Sequence, residues 1–263
     1  MDELELAKQL GAMGAEIAMK HFSHDPAVRV KKDGTLVTIA DTEIEAAIRK
    51  RIAEVFSSHA ILGEEEGLMG DPSAPTWIID PIDGTNNYAW GIPVFATLVA
   101  LRVEGRTIVG VADAPALNEI YDAARGNGAR MNGKPIQVSQ VETLAESRFC
   151  YGSRSGWEHE SAADAWWSMV DRAKRDRGFG DFWGHMLVAR GAAEVMAEPN
   201  LNPWDVMALE VIVEEAGGRL TGFAGQAYPD PLINAPKGDK SCLSTNGSIH
   251  AEVVQKLSLD RRR

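Results

Sequence analysis

Asp80 and Asp83 stand three apart at the end of the β-branched apolar run Trp77-Ile78-Ile79, with Gly84 and Thr85 immediately behind. Strands deliver side chains to their C-terminal ends, where open α/β folds bind ligands. Pro81 stiffens the turn between the two acids and removes one backbone donor. The carboxylates can then face one hard cation, Gly84 lets backbone approach a ligand closely, and Thr85 adds a hydroxyl. Together these residues outline a Mg²⁺–phosphate site. The plainer alternative is a strand running into an Asp-Gly turn, a very common turn pair.

Three other segments carry acids of the same kind. Leu62-Gly63-Glu64-Glu65-Glu66-Gly67 follows the apolar approach Ala60-Ile61, as a strand end entering a site would. Successive acids repel one another, so a solvated surface loop is the alternative. Asp205, in Asn202-Pro203-Trp204-Asp205, precedes the apolar-periodic stretch Val206 to Val213 and opens a helix. An N-cap or first-turn role alone would explain it. Leu36 to Ala40 reads as a short extended segment leading into a helix capped near Asp41 or Thr42.

In order and spacing, Gly63-Glu64-Glu65, then Asp80 through Thr85 with Asn87, then Trp204-Asp205 and Glu215-Ala216-Gly217-Gly218 form one signature. It resembles that of the inositol monophosphatase-like, metal-dependent, lithium-sensitive phosphatases, and the resemblance covers nearly the whole chain. A narrower likeness is to the bacterial histidinol-phosphate phosphatases of this fold. Val111 through Pro115, Ser155-Gly156-Trp157, Gly180-Asp181-Phe182, Leu187-Val188-Ala189 and Ala197-Glu198-Pro199 carry it, with Ala216 through Thr221. Inositol enzymes usually have Gly-Ser or Gly-Thr where this chain has Gly180-Asp181. That departure favours a histidinol-type substrate.

The resemblance implies an α+β fold, the layered α-β-α-β-α sandwich of the inositol monophosphatase/fructose bisphosphatase type. It implies one phosphatase domain, residues 1–263, in two closely packed halves of roughly 1–145 and 146–263. Glu64, Asp80, Asp83 and the Ile82 carbonyl would serve two or three Mg²⁺ ions, with Asp205 bridging from the second half. A donor set of oxygen alone suits Mg²⁺ and would be poor for zinc. Thr85 and Asp41 would orient or deprotonate the attacking water, with Glu65 in support. The N–H groups of Gly84, Thr85 and Asn86 would open a helix and grip phosphate oxygens. Lys32, in a Lys-Lys-Asp-Gly loop, is open to both a phosphate and a surface role. A homodimer is implied by likeness only, since no segment identifies an interface.

Substrate choice must come from outside the phosphate. Histidinol phosphate carries an ammonium and an imidazole that is partly cationic near neutral pH. Glu198, which matches the relatives' substrate-contacting glutamate, and Asp181 are expected to accept charge-assisted hydrogen bonds from those groups. The alternatives are an N-cap for Asp181, on a helix over 183–192, and an exposed loop acid for Glu198. Inositol-1-monophosphatase, or a broad monophosphatase, is the runner-up activity. Bisphosphatases fit less well, because no extra basic cluster awaits a second phosphate. A haloacid-dehalogenase phosphatase would have its acids two apart and near the N-terminus. A degenerate scaffold should have lost a ligand, yet every matched position is filled.

Bulk properties set limits. The chain has 263 residues, 44% hydrophobic and 25% charged, within the globular range. A formal charge of −11 argues against nucleic acid, which needs a basic face. It also leaves metal ions as the natural counter-charge for a phosphate. No apolar stretch approaches a membrane span, and the acidic N-terminus is not a secretory leader. The reading is therefore cytoplasmic, with Cys150 and Cys242 reduced and buried and Arg261 to Arg263 a solvated tail. Apolar spacing predicts helices over 2–22, 42–56, 159–174, 183–192 and 205–216, the last stopped by Gly217. Strands are expected at 60–63 and 76–80, and as a pair at 94–103 and 107–114 about Glu104-Gly105. Short strands and turns follow from Glu119 to Gln137; no helix follows Gly126-Asn127-Gly128, so it is not a dinucleotide loop.

Overall fold

Strand Thr76–Asp83 is buried along its whole length, and its side chains alternate between two cores. Trp77 and Ile79 enter one cluster and Ile78 the opposite one, as a period of two requires. That strand is the spine of the larger sheet. The computed structural model describes residues 2–22, 28–30, 36–229 and 239–260. Lys32 and Arg261 to Arg263 lie outside the described residues.

In chain order the first elements are α1 (Glu3–His21), the pair β1 (Val28–Val30) and β2 (Leu36–Thr38), and α2 (Ile39–Val55). Then come β3 (Ala60–Gly63), β4 (Gly67–Met69), β5 (Thr76–Asp83), the one-turn α3 (Thr85–Ala89), β6 (Ala96–Val103) and β7 (Arg106–Ala114). The run β8 (Glu119–Ala124), β9 (Ala129–Met131) and β10 (Lys134–Pro135) completes an eight-stranded sheet. Its order is β10-β9-β8-β7-β6-β5-β3-β4, antiparallel except for the parallel pair β3–β5.

The second part comprises β11 (Arg148–Tyr151), α4 (Ala163–Val170), β12 (Arg175–Arg177), α5 (Asp181–Ala189) and β13 (Val195–Glu198). It continues with α6 (Pro203–Glu215), β14 (Arg219–Thr221), β15 (Cys242–Thr245) and α7 (His250–Asp260). Its five strands run β12-β11-β13-β15-β14.

Helices α1 and α2 cover one face of the large sheet. Helices α5 and α6 fill the space between the two sheets, and α4 with α7 covers the far face of the small one. This is the α-β-α-β-α sandwich. The middle layer fixes the site, because α5 and α6 deliver second-part residues onto the end of β5. Glu119 on β8 anchors α5, accepting from Arg190 Nη1 at 2.8 Å and Trp183 Nε1 at 3.3 Å.

Several element boundaries move from their expected places. Helix α2 starts at Ile39, because Thr38 is its N-cap and Asp41 its N3 partner in a capping box. The expected cap near Asp41 or Thr42 is therefore corrected by one helical turn. Helix α4 is confined to Ala163–Val170, because turns occupy 158–159, 161–162 and 171–172. Helix α5 begins at Asp181 rather than at 183. Gly217 follows α6 with φ +89°, the left-handed exit expected of it. Both cysteines are buried and unbridged. Among the described residues no helix is long and apolar enough to cross a membrane.

Candidate active site

The two acids of β5 reach one cleft because of a break in the sheet register. Asp80 pairs with Leu98 but Asp83 with Ala96, so three steps on β5 oppose two on β6. Residues three apart on a regular strand face opposite sides; the extra residue of a bulge turns Asp83 back toward Asp80. Pro81 and Ile82 occupy the bulge, and Thr97 Oγ1 donates to the Pro81 carbonyl at 2.9 Å.

Asp205 arrives from the other part of the chain. It is the N3 residue of α6, and its Oδ2 accepts the Asn202 N–H at 2.7 Å. Capping is thus one role of Asp205, and it aims the carboxylate. One ligand oxygen from each of Asp80, Asp83 and Asp205 lies within 4.8 Å of the others. Glu64, at the end of β3, lines the same cleft of about 370 Å³, with Ile82, Gly84, Thr85, Asn86, Asp181 and Trp204.

These carboxyls are held against their charge. Burial raises Asp80 well above the usual carboxylate range, with Glu64, Asp83 and Asp205 adding repulsion. Burial does the same to Asp83, with Asp181 and Asp205 adding to it. Burial and Glu64 push Asp205 up to about 7, against the Asn202 N–H, which lowers it. Asp80 Oδ1 is buried without a hydrogen-bond partner. A cluster of buried oxygen donors, mutually repelling and partly unpaired, fits a hard divalent cation.

The remaining expected residues fall into two groups. Gly84 has φ +82°, and a Cβ there would meet the Val94 carbonyl at 2.8 Å, so both conformation and space demand glycine. It is the N-cap of α3, and the Thr85 hydroxyl donates to the Ile82 carbonyl at 2.8 Å. Asp41 is buried with its Oδ2 accepting Thr38 N–H and hydroxyl at 2.7 and 2.6 Å, while Oδ1 has no hydrogen-bond partner. Burial first, and then Glu64 and Glu65, push Asp41 up to about 6. Neither Asp41 nor Glu65, which sits in the turn after β3, is among the residues that line the cleft.

Asp181 and Glu198 come together on the second-part side. Asp181 is the first residue of α5, after the N-cap Gly180, and has φ +52°, so it is not the helix cap. A non-glycine residue in that region is strained, and such strain collects at functional sites. Its Oδ2 accepts Asn87 Nδ2 at 3.1 Å, and its own N–H faces Glu198 Oε1 at 3.5 Å. The next N–H, of Phe182, donates to Asp83 Oδ2 at 2.6 Å, so α5 touches the metal-type acids directly.

Glu198 ends β13 and is buried, which corrects the exposed-loop alternative. Burial pushes it up to about 7; burial and then Glu198 push Asp181 to about 7. Glu198 also lines a second chamber of about 210 Å³ with Gly152, Ser153 and Trp157. Asn200 and Leu201 border both cavities.

Comparison with known proteins identifies the family. The model of the inositol monophosphatase family matches residues 2–259. The chain belongs to the inositol monophosphatase family. It is 38% identical to a histidinol-phosphatase of Mycobacterium tuberculosis, over 98% of each chain. It is 37% identical to a histidinol-phosphatase of Streptomyces coelicolor, over 98% of this chain and 97% of that one. The solved Thermotoga maritima IMPase superposes with a TM-score of 0.87 at 31% identity, covering 100% of this chain and 99% of that one. Membership makes this inositol monophosphatase-family chain a phosphoric monoester hydrolase.

Sequence reasoning assigned no role to three residues that shape this family site. Asn87 was visible in the motif, but its bond to Asp181 spans 94 positions. His185 is fully buried on α5, with Nδ1 2.7 Å from Ser244 Oγ and Nε2 3.7 Å from Glu198 Oε2. Burial pushes it down to about 3, so it is neutral. Glu45, on α2, reads in sequence as one more charge of an exposed helix. The contacts of all three are made across the fold, so no local pattern reveals them.

Proposed function

We propose that the protein is a Mg²⁺-dependent histidinol-phosphatase, hydrolysing L-histidinol phosphate to L-histidinol and phosphate. The observation that carries this is the pair Asp181–Glu198, two buried carboxyls beside the aspartate cluster and next to a second chamber. A cationic leaving group would relieve their repulsion, and a neutral polyol would not. The names of the relatives support the same reading.

Asp80, Asp83, Asp205, Glu64 and the Ile82 carbonyl are the groups that would hold Mg²⁺. Bound Mg²⁺ supplies positive charge to the phosphate and acidifies a water. The N–H groups of Gly84, Thr85 and Asn86 bind phosphate oxygens at the start of α3. The Thr85 hydroxyl and Asp41 orient the attacking water, and the unpaired Asp41 Oδ1 takes its proton. Glu65 supports that arrangement from the turn behind. Asp181 and Glu198 hold the ammonium and imidazole, which places the ester oxygen opposite the water. The chain works as one domain whose two halves, 1–145 and 146–263, each contribute to the cleft. A dimer and lithium sensitivity belong to the same reading.

Replacing Asp181 by Asn tests the substrate assignment. The variant keeps an acceptor for Asn87 but loses the charge. Its kcat/KM for L-histidinol phosphate should fall about 10- to 100-fold, the size of one charge-assisted hydrogen bond. Its kcat/KM for a neutral ester such as inositol 1-phosphate should change little. Equal losses on both esters would overturn the assignment.

A further inference from the structure

The turn that carries Glu64 is held from beneath by a buried ion pair. Glu45 lies on α2, one turn after Asp41, and is fully buried. Its Oε2 accepts the Glu65 N–H at 2.8 Å and its Oε1 the Glu66 N–H at 3.0 Å. Arg49, one turn further on, donates from Nε to Glu45 Oε1 at 2.9 Å and from Nη2 to the Gly67 carbonyl at 2.6 Å. Two side chains thus fix three consecutive backbone positions, 65 to 67. On the other side of Glu64, a Cβ on Gly63 would lie 2.2 Å from Glu45 Oε1. The carboxylate fills the space that glycine leaves.

We propose that Glu45, seated by Arg49, is a positioning residue that presents the Glu64 carboxylate to the metal cleft. The inference rests on the reading of Glu64 as a metal ligand. Its physical basis is asymmetry of cost. Burying an ion pair is expensive, and tying down a partly exposed turn does not by itself require one. A carboxylate, unlike an amide, can accept on both oxygens at once. Here both oxygens are used on adjacent N–H groups, so the peptide planes on the C-terminal side of Glu64 have one orientation. The Glu64 N–H is fixed separately, donating to the Ile79 carbonyl at 3.3 Å. Glu64 is thereby clamped on both flanks while its side chain enters the cleft. Outer groups of this kind typically govern 10- to 100-fold of metal affinity.

The test is calorimetric titration of MgCl₂ into the metal-free full-length protein, for the parent and for Glu45→Gln. Glutamine keeps the shape but turns an NH₂ toward one of the two backbone N–H groups. Mg²⁺ affinity should fall about 10- to 100-fold, and the Mg²⁺ concentration for half-maximal rate should rise in parallel. Arg49→Lys, which keeps the charge but loses the fork to Gly67, should show a smaller shift in the same direction and serves if Glu45→Gln does not fold. Unchanged Mg²⁺ affinity in a folded variant, with only a lower melting temperature, would show a plain turn tether and overturn the inference alone. A parent that takes up no Mg²⁺ would overturn it together with the metal reading.

Discussion

Asp80→Asn should abolish most activity and make the metal-free protein more stable. The loss of rate is expected on the order of 10³-fold, as for other groups that act directly on transition-state charge. The gain in stability follows from the same geometry. Asp80 is buried, with one oxygen unpaired, and is repelled by Glu64, Asp83 and Asp205. Asparagine removes that charge at constant shape and brings an NH₂ that can donate to Asp205 or Glu64. A rise of a few degrees in the melting temperature in EDTA is expected, about 1–2 kcal/mol for a chain of this size. Sites that trade stability for function behave in this way. A variant that lost both activity and stability would show that Asp80 holds the fold rather than a cation.

Stability should depend on pH and Mg²⁺ jointly. Asp41 is raised to about 6, and Asp181, Glu198 and Asp205 to about 7. In the unfolded chain these groups titrate near 4. A raised folded pKa favours the folded state fully below the unfolded value, and the benefit is lost as pH rises through the folded value. These acids therefore weaken the metal-free protein between about pH 4 and 7. Divalent ions bind the ionised carboxylates, so their stabilisation grows over the same window. Millimolar Mg²⁺ should raise the melting temperature by roughly 5 °C or more at pH 8 and by under about 2 °C at pH 5. Thermal melts with and without Mg²⁺ at the two pH values check this. An equal shift at both would mean that Mg²⁺ binds elsewhere.

Asp80, Asp83, Glu64 and Asp205 stand out by type, because acids beside glycine and threonine suit a metal–phosphate site. Their convergence does not. Asp80 and Asp83 are three apart, and a regular strand would send them to opposite faces. Only the bulge against β6 reverses that, and it depends on a partner strand. Thr38, Asp41 and Thr42 are all plausible caps for α2, and the two bonds from Thr38 to Asp41 select Thr38. The left-handed φ of Asp181 has no local signal in Gly-Asp-Phe, and its partners Asn87 and Glu198 are distant in sequence. Glu45 and Arg49 form an i,i+4 pair that on most helices would be solvated. Burial beneath the β3–β4 turn is a fact of packing, not of pattern.

The layered fold follows from family likeness; periodicity alone supports only mixed α and β. Alternation in β5 and β6 is clear once both faces are known to be covered. In sequence it is a continuous apolar run that a buried helix segment could equally produce.

The most direct measurement is the initial rate of Mg²⁺-dependent phosphate release from L-histidinol phosphate and from inositol 1-phosphate, side by side. A strong preference for L-histidinol phosphate is expected, with no release in EDTA. A preference for inositol 1-phosphate, or equal rates on both, would contradict the role given to Asp181 and Glu198.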